Sequence, residues 1–138
     1  MTTRSTTTQS RVAEPVQRLL DAITGGSGIP DRLFTADAVL DATVPMWRYE
    51  TAGGLAIQAE LGKWYGSPTR IEQVKCRPFA GGEAIEIDIS WTENGVPHAG
   101  HQLHVLCLSG DRISSDTVFC GGRWPAELLA EMDAARAH

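Results

Sequence analysis

The chain has 138 residues, of which 42% are hydrophobic and 21% charged, with a formal net charge of -5. That length suits one compact domain with one core. The acidic balance argues against nucleic acid or an anionic membrane as the main partner, since both call for a basic stripe. No apolar run approaches the roughly twenty residues that a bilayer-spanning helix needs.

The opening "MTTRSTTTQSR" is polar and has no apolar stretch behind its positive charge. Residues 1–11 therefore read as a disordered lead-in rather than a secretory signal. Next, "VAEPVQRLLDAIT" places Val12, Val16, Leu19, Leu20 and Ile23 on one helical face, and "GGSG" ends that helix. Leu33-Phe34 is expected in a short helical turn. Ala38 to Val44 reads as a strand closed by Pro45, and "PMWRYE" as a loop. In "GGLAIQAELGKWYGSP", Leu55, Leu61 and Trp64 stand at helical spacing, with Gly66 and Pro68 as the stop.

The period then changes. "IEQVKCRPFA" is a somewhat irregular strand. "EAIEIDISWTE" alternates strictly, with Ile85, Ile87, Ile89 and Trp91 on one face and Glu86, Asp88, Ser90 and Thr92 on the other. Asn94-Gly95 is a strong hairpin signal and makes "HAGHQLHVLCL" the partner strand. After "SGD", "RISSDTVFC" is the last long strand, and residues 126–138 form a helical tail. Helices first and a run of antiparallel strands afterwards is an α+β plan, with the N-terminal helices packed on one face of a curved sheet.

The stretches "LFTADAVLDATVP", "GGLAIQAELGKWY" and "TVFCGGRW", in this order around long strands, resemble the nuclear transport factor 2-like superfamily over roughly residues 12–125. That superfamily includes SnoaL-like polyketide cyclases, ketosteroid isomerases, limonene epoxide hydrolases and scytalone dehydratase. The resemblance implies a cone of curved antiparallel sheet with the helices on its concave face, a ligand pocket in the mouth, and a homodimer through the sheet face. It does not select an activity, because one fold hosts many.

Carried over residue by residue, the resemblance narrows the chemistry. The ketosteroid isomerase base falls on Ala42, and the neighbouring Asp41 faces the other way on a strand. The arginine of the epoxide hydrolase pair is missing from Gln102-Leu103-His104. His104 takes the place of the isomerase oxyanion donor, and Asp116 falls at a pocket-lining position on the last strand. An imidazole held by a carboxylate can be fixed in one tautomer near neutral pH, so His104 and Asp116 are the candidate catalytic pair. Trp47, Arg48 and Tyr49 are expected to close the pocket mouth as a lid, Trp64 and Tyr65 to reach the cavity from the helix end, and Gln102 to orient a ligand.

His98, His101 and His104 are evenly spaced by three. On a strand, His98 and His104 share a face and His101 points away, so the trio is not a metal site. Trp91 is expected as a sheet-face aromatic, and Trp124 as an anchor where the chain leaves the sheet. "GGRW" lacks the strand-then-helix context of a phosphate loop. The three cysteines, Cys76, Cys107 and Cys120, are an odd count without Cys-x-x-Cys. They read as reduced thiols of a cytoplasmic protein, two of them buried in strands. Three readings stand: a cofactor-independent acid/base enzyme on a small apolar or polycyclic molecule, a non-catalytic binder of such a ligand, and an interaction module working through its sheet face.

Overall fold

A computed structural model of the protein describes residues 12–137. The lead-in expected over residues 1–11 lies outside the described residues. In chain order the elements are α1 (Glu14–Gly25), β1 (Phe34–Val44), β2 (Trp47–Ala52), α2 (Gly54–Trp64), β3 (Arg70–Phe79), β4 (Gly82–Glu93), β5 (Val96–Ser109), β6 (Arg112–Cys120), β7 (Trp124–Pro125) and α3 (Ala126–Arg136). The fold is α+β, a curved seven-stranded sheet with three helices. Its strand order is β2-β1-β6-β5-β4-β3, with β7 paired to β5. No described helix is long and apolar enough to cross a membrane.

Pro15 stands in the first turn of α1, where a missing N–H costs nothing. Gly26 closes the helix in the left-handed region at φ 66°, its N–H on the Ala22 carbonyl. A Cβ there would lie 2.2 Å from the Pro68 nitrogen, so only glycine lets the segments touch. The apolar face of α1 buries Val16, Leu19 and Ile23 completely, in one core with Ile85, Ile87, Leu106 and Ile113. Among the strands, α2 makes its main contacts with β1. A Cβ on its first residue, Gly54, would sit 2.6 Å from the Thr35 carbonyl oxygen, which explains that glycine.

Two expectations are corrected here. Leu33-Phe34 is not a helical turn: Phe34 opens β1 and pairs with Ile113. "PMWRYE" is not a loop either: Pro45 and Met46 turn the chain, and Trp47–Ala52 returns as β2 alongside β1. Pro45 presets its own φ, and Met46 takes φ 65°, a left-handed turn position where glycine or asparagine is the usual choice. That mismatch hid the turn. The sheet is also not wholly antiparallel, because β1 runs parallel to β6.

The alternation of β4 holds. Ile85, Ile87 and Ile89 are buried, while Glu86, Asp88 and Ser90 face the other way. Asn94 and Gly95 turn at φ 51° and 77°, as a two-residue hairpin of the primed type requires. This fixes Ile85 opposite His104, Ile87 opposite Gln102 and Ile89 opposite Gly100. The next ladder sets Leu106 opposite Asp116, His104 opposite Val118 and Gln102 opposite Cys120. Paired residues share a face, so the inner face carries His104, Gln102, Asp116 and Cys120 amid the isoleucines.

Candidate active site

His104 and Asp116 are both completely buried. They are not directly opposite but diagonal neighbours on adjacent strands. His104 Nδ1 and Asp116 Oδ2 are 2.8 Å apart, and the other imidazole nitrogen, Nε2, is 2.9 Å from the Tyr65 hydroxyl. Tyr65 closes the C-terminal end of α2, and its hydroxyl donates to Gln102 Oε1 at 2.5 Å. Gln102 Nε2 then points at Cys120 Sγ, 3.6 Å away. A single hydrogen-bonded chain thus runs from Asp116 through His104 and Tyr65 to Gln102.

Counting protons along the chain shows what it can do. With the Gln102 amide set as here, Tyr65 gives its one proton to Gln102, His104 donates to Tyr65 from Nε2, and the proton shared between His104 Nδ1 and Asp116 Oδ2 sits on either atom. Turning that amide over lets Gln102 donate to Tyr65, Tyr65 donate to His104 Nε2, and His104 donate to Asp116. Both arrangements are complete, and they differ by one proton on the His104–Asp116 pair. Burial pushes the Tyr65 phenol well above its ordinary range, and the charge of Asp116 adds to the rise. Tyr65 is therefore a proton donor at neutral pH, not a phenolate.

Beside this chain lies a cavity of about 480 Å³. Tyr65, Gln102 and Cys120 line it, with Trp64, Trp91 and Ile89 as apolar wall. Lys63, Thr69 and Arg123 supply further polar groups. Neither His104 nor Asp116 is in the wall. The pair sits behind Tyr65 and Gln102, so the expectation that these two residues face a ligand directly is corrected: they reach the cavity only through Tyr65. Asp116 Oδ1 has no hydrogen-bond partner among the described residues.

The expected lid is also placed elsewhere. Arg48 makes a two-pronged ion pair with Asp41 at 3.0 and 2.7 Å on the opposite face of the β1–β2 hairpin, away from the cavity. That contact holds the Asp41 carboxyl below its ordinary range. Trp47 is largely exposed and outside the cavity wall. Tyr49 stands one layer back, its hydroxyl on Glu60 Oε2 at 2.6 Å while receiving the Trp64 indole N–H at 3.0 Å. Among the wall residues that the sequence reading does not propose, three carry a thiol or a charge. Cys120 follows from strand parity, two steps beyond Val118. Lys63 adjoins Trp64, and Arg123 follows a Gly-Gly pair that was weighed only as a phosphate loop. Cys107, expected among the buried strand cysteines, is exposed.

The other histidines separate as strand geometry requires. His98 stacks on Trp91 with ring centroids 5.7 Å apart. His101 lies on the outer face between Asp88 (Nδ1 to Oδ1, 2.5 Å) and Glu86 (Nε2 to Oε2, 2.9 Å), and Arg77 holds the same Glu86. Among the described residues no group of three or more His, Cys, Asp or Glu is arranged to hold a metal ion.

No family model and no curated protein matches the chain in sequence. Solved structures do match in shape. A protein from Mesorhizobium loti described as NTF2-like and of unknown function superposes at a TM-score of 0.63, with 17% identity over 79% of this chain and 89% of its own. An NTF2-like protein from Anabaena variabilis gives 0.62, with 11% identity over 78% and 84%. A hypothetical protein with a ketosteroid isomerase-like fold from Catenulispora acidiphila, in complex with trimethylamine, gives 0.57, with 19% identity over 78% and 85%. The fold is nuclear transport factor 2-like. At these identities the likeness concerns the fold alone, and in this nuclear transport factor 2-like chain the chemistry must be argued from its own residues.

Two outcomes follow. Asp116→Leu alone, which strands His104 in the core, should cost about 3–5 kcal/mol in urea unfolding, whereas His104→Leu with Asp116→Leu should recover most of that loss. A double variant as unstable as the single one would show that the pair is not the source of the cost. For His101 the neighbouring Asp88 hydrogen bond raises the pKa. The folded state then binds the proton more tightly than the unfolded chain, so the stabilisation is full below the unfolded value of about 6.5 and fades as pH rises through the folded value. The melting advantage of the wild type over His101→Asn should accordingly be larger at about pH 5.5 than at about pH 9. An advantage that grows with pH would contradict the assignment.

Proposed function

We propose that the protein is a cofactor-independent acid catalyst acting on a small, largely apolar molecule that carries a carbonyl or hydroxyl oxygen. The observation that carries this reading is the buried Asp116–His104–Tyr65 chain ending at the wall of the cavity. A ligand oxygen takes the place of Gln102 Oε1 as acceptor of the Tyr65 O–H. As negative charge develops on that oxygen, Tyr65 passes its proton to it, His104 refills Tyr65 from Nε2 while Asp116 holds it, and in an enolisation the proton lost from the ligand carbon goes to a solvent water at the cavity mouth. Tyr65 and Gln102 touch the ligand in this scheme, while His104 and Asp116 are positioning residues. The apolar wall excludes water, which strengthens each of these hydrogen bonds. Isomerisation through an enol and loss of a hydroxyl group both use such an acid.

The alternative is a binding domain that uses the same groups to hold a ligand without turnover. The test is deuterium uptake from D2O by 2-tetralone, a fused bicyclic ketone with mobile protons beside its carbonyl, followed by proton NMR. Wild type should accelerate exchange over buffer, and Tyr65→Phe should lose about 100-fold or more of that acceleration. His104→Gln should lose most of it while the ketone still binds. Exchange no faster than buffer, with binding intact, would leave only the binding reading.

The outer sheet face carries Leu103, Val105, Phe119 and Val39 on neighbouring strands, and Phe119 and Val39 are exposed. We propose that a second copy covers this patch, as an isologous dimer. Light scattering should give twice the chain mass for wild type and the monomer mass for Phe119→Glu. A monomeric wild type at about 100 μM, ample for any dimer with a micromolar dissociation constant, would remove the dimer.

A further inference from the structure

We infer that the ligand of this cavity carries an acidic group, a carboxylate or its equivalent, which lodges between Lys63 and Arg123. This rests on the reading of the cavity as a small-molecule site and adds the ligand's charge to it. The chain has 17 acidic against 12 basic residues, so a random sample of its charged side chains would favour acids. Among the described residues the cavity wall holds the reverse: two cations, Lys63 and Arg123, and no carboxylate.

Both cations are held in the same way. On α2, the Trp64 indole N–H donates to Glu60 Oε2 at 3.2 Å, and Glu60 Oε1 lies 3.9 Å from Lys63 Nζ. Across the cavity wall, the Trp91 indole N–H donates to Glu93 Oε1 at 3.0 Å, and Arg123 pairs with the same oxygen. In each case a wall tryptophan pins a glutamate, and the glutamate tethers a cation at the wall. The tethers are incomplete. Glu60 is shared with the Tyr49 hydroxyl and stands at the outer limit of ion pairing with Lys63. Arg123 has given one of its five N–H donors, and its guanidinium carbon sits 5.4 Å from the Trp91 ring centroid. Both cations keep donors for an anion, while the tryptophans supply apolar surface for the body of the same ligand.

An aromatic wall could equally suit an alkylammonium ion, held by cation–π attraction. The two resident cations oppose that occupant: Glu60 and Glu93 offset them only in part and stand behind the wall, so a third positive charge would meet the cations first. The observations therefore favour an acid with its polar oxygen toward Tyr65 and Gln102 and its anionic end toward Lys63 and Arg123.

The probes are naphthalene-2-carboxylate, its neutral isostere 2-naphthamide, and tetramethylammonium, each measured by calorimetry on the full chain. Naphthalene-2-carboxylate should bind about fivefold or more tighter than 2-naphthamide at low salt, and the preference should shrink as salt rises. Lys63→Gln with Arg123→Gln should abolish the preference while leaving 2-naphthamide affinity within about twofold. Glu93→Gln, which frees the guanidinium, should move the acid in the opposite direction and tighten it alone. Equal affinity for acid and amide, a preference that survives the double variant, or tighter binding of tetramethylammonium would overturn the inference while leaving the cavity a ligand site. Binding of none of the three would overturn the small-molecule reading as well. The acid and the amide have no exchangeable carbon-bound proton beside a carbonyl, so these outcomes are independent of the 2-tetralone test.

Discussion

The whole arrangement depends on one constraint: an imidazole and a carboxylate held without any solvent exposure among Leu40, Leu106 and Ile85. Removing two ionisable groups from water costs several kcal/mol each, and mutual attraction offsets this only where their remaining donors and acceptors are satisfied. Among the described residues Asp116 is satisfied on one oxygen alone. His104 is satisfied on both nitrogens, and the second partner comes from another element, the end of α2. The Tyr65 hydroxyl therefore joins helix and sheet. Were α2 to shift along β1, Nε2 would lose its partner, and the cost of burying the pair would rise sharply. The same contact that makes the pair tolerable carries it to the cavity wall.

Polarity then follows the strand. The inward stripe of β5 reads Leu106, His104, Gln102, Gly100, His98, from core to rim. Leu106 belongs to the apolar core, His104 to the buried pair, and Gln102 to the cavity wall. Beyond it Gly100 projects nothing, and a Cβ there would lie 3.1 Å from the Gly122 carbonyl and 3.5 Å from the Trp91 ring. The backbone at Gly100 thus lets the Gly122 segment and the indole approach. Arg123 leaves the sheet immediately after that approach, which is how a residue just beyond β6 comes to stand over a ring from β4.

These relations were legible in the sequence to different degrees. The Asn94-Gly95 turn fixed the β4–β5 register, and parity alone then separates His101 from His98 and His104. Parity within β6 likewise puts Asp116, Val118 and Cys120 on one face. What parity does not give is depth. His104 and Gln102 share a face and differ by two residues, yet one is sealed and the other lines the cavity, because the Tyr65 side chain is laid between His104 and the opening. That depends on where α2 ends against the sheet, a tertiary fact. The β1–β2 hairpin was illegible for a different reason: its turn places Met46, not glycine or asparagine, at positive φ. With β2 unrecognised, Arg48 has no visible partner, and Asp41, which pairs with it across the hairpin, reads as a carboxylate facing away from the pocket beside the isomerase base position.

Depth also decides which chemistry the site can support. A histidine in the cavity wall could take a proton from a ligand carbon directly. His104 cannot, because Tyr65 stands between, and a phenol that burial keeps protonated has a proton to give but no free oxyanion with which to take one. On the proposed reading, the Asp116–His104 pair is thereby turned from a base into the reservoir behind an acid. The resemblance to isomerases suggests a carboxylate base at the end of the first strand, but Ala42 occupies that position and no acidic side chain among the described residues lines the cavity. With donors at one end, cations at the other and no anion between them, the cavity wall is complementary to a ligand oxygen that gains negative charge, and a site is catalytic to the extent that it fits the charge of the transition state better than that of the ground state.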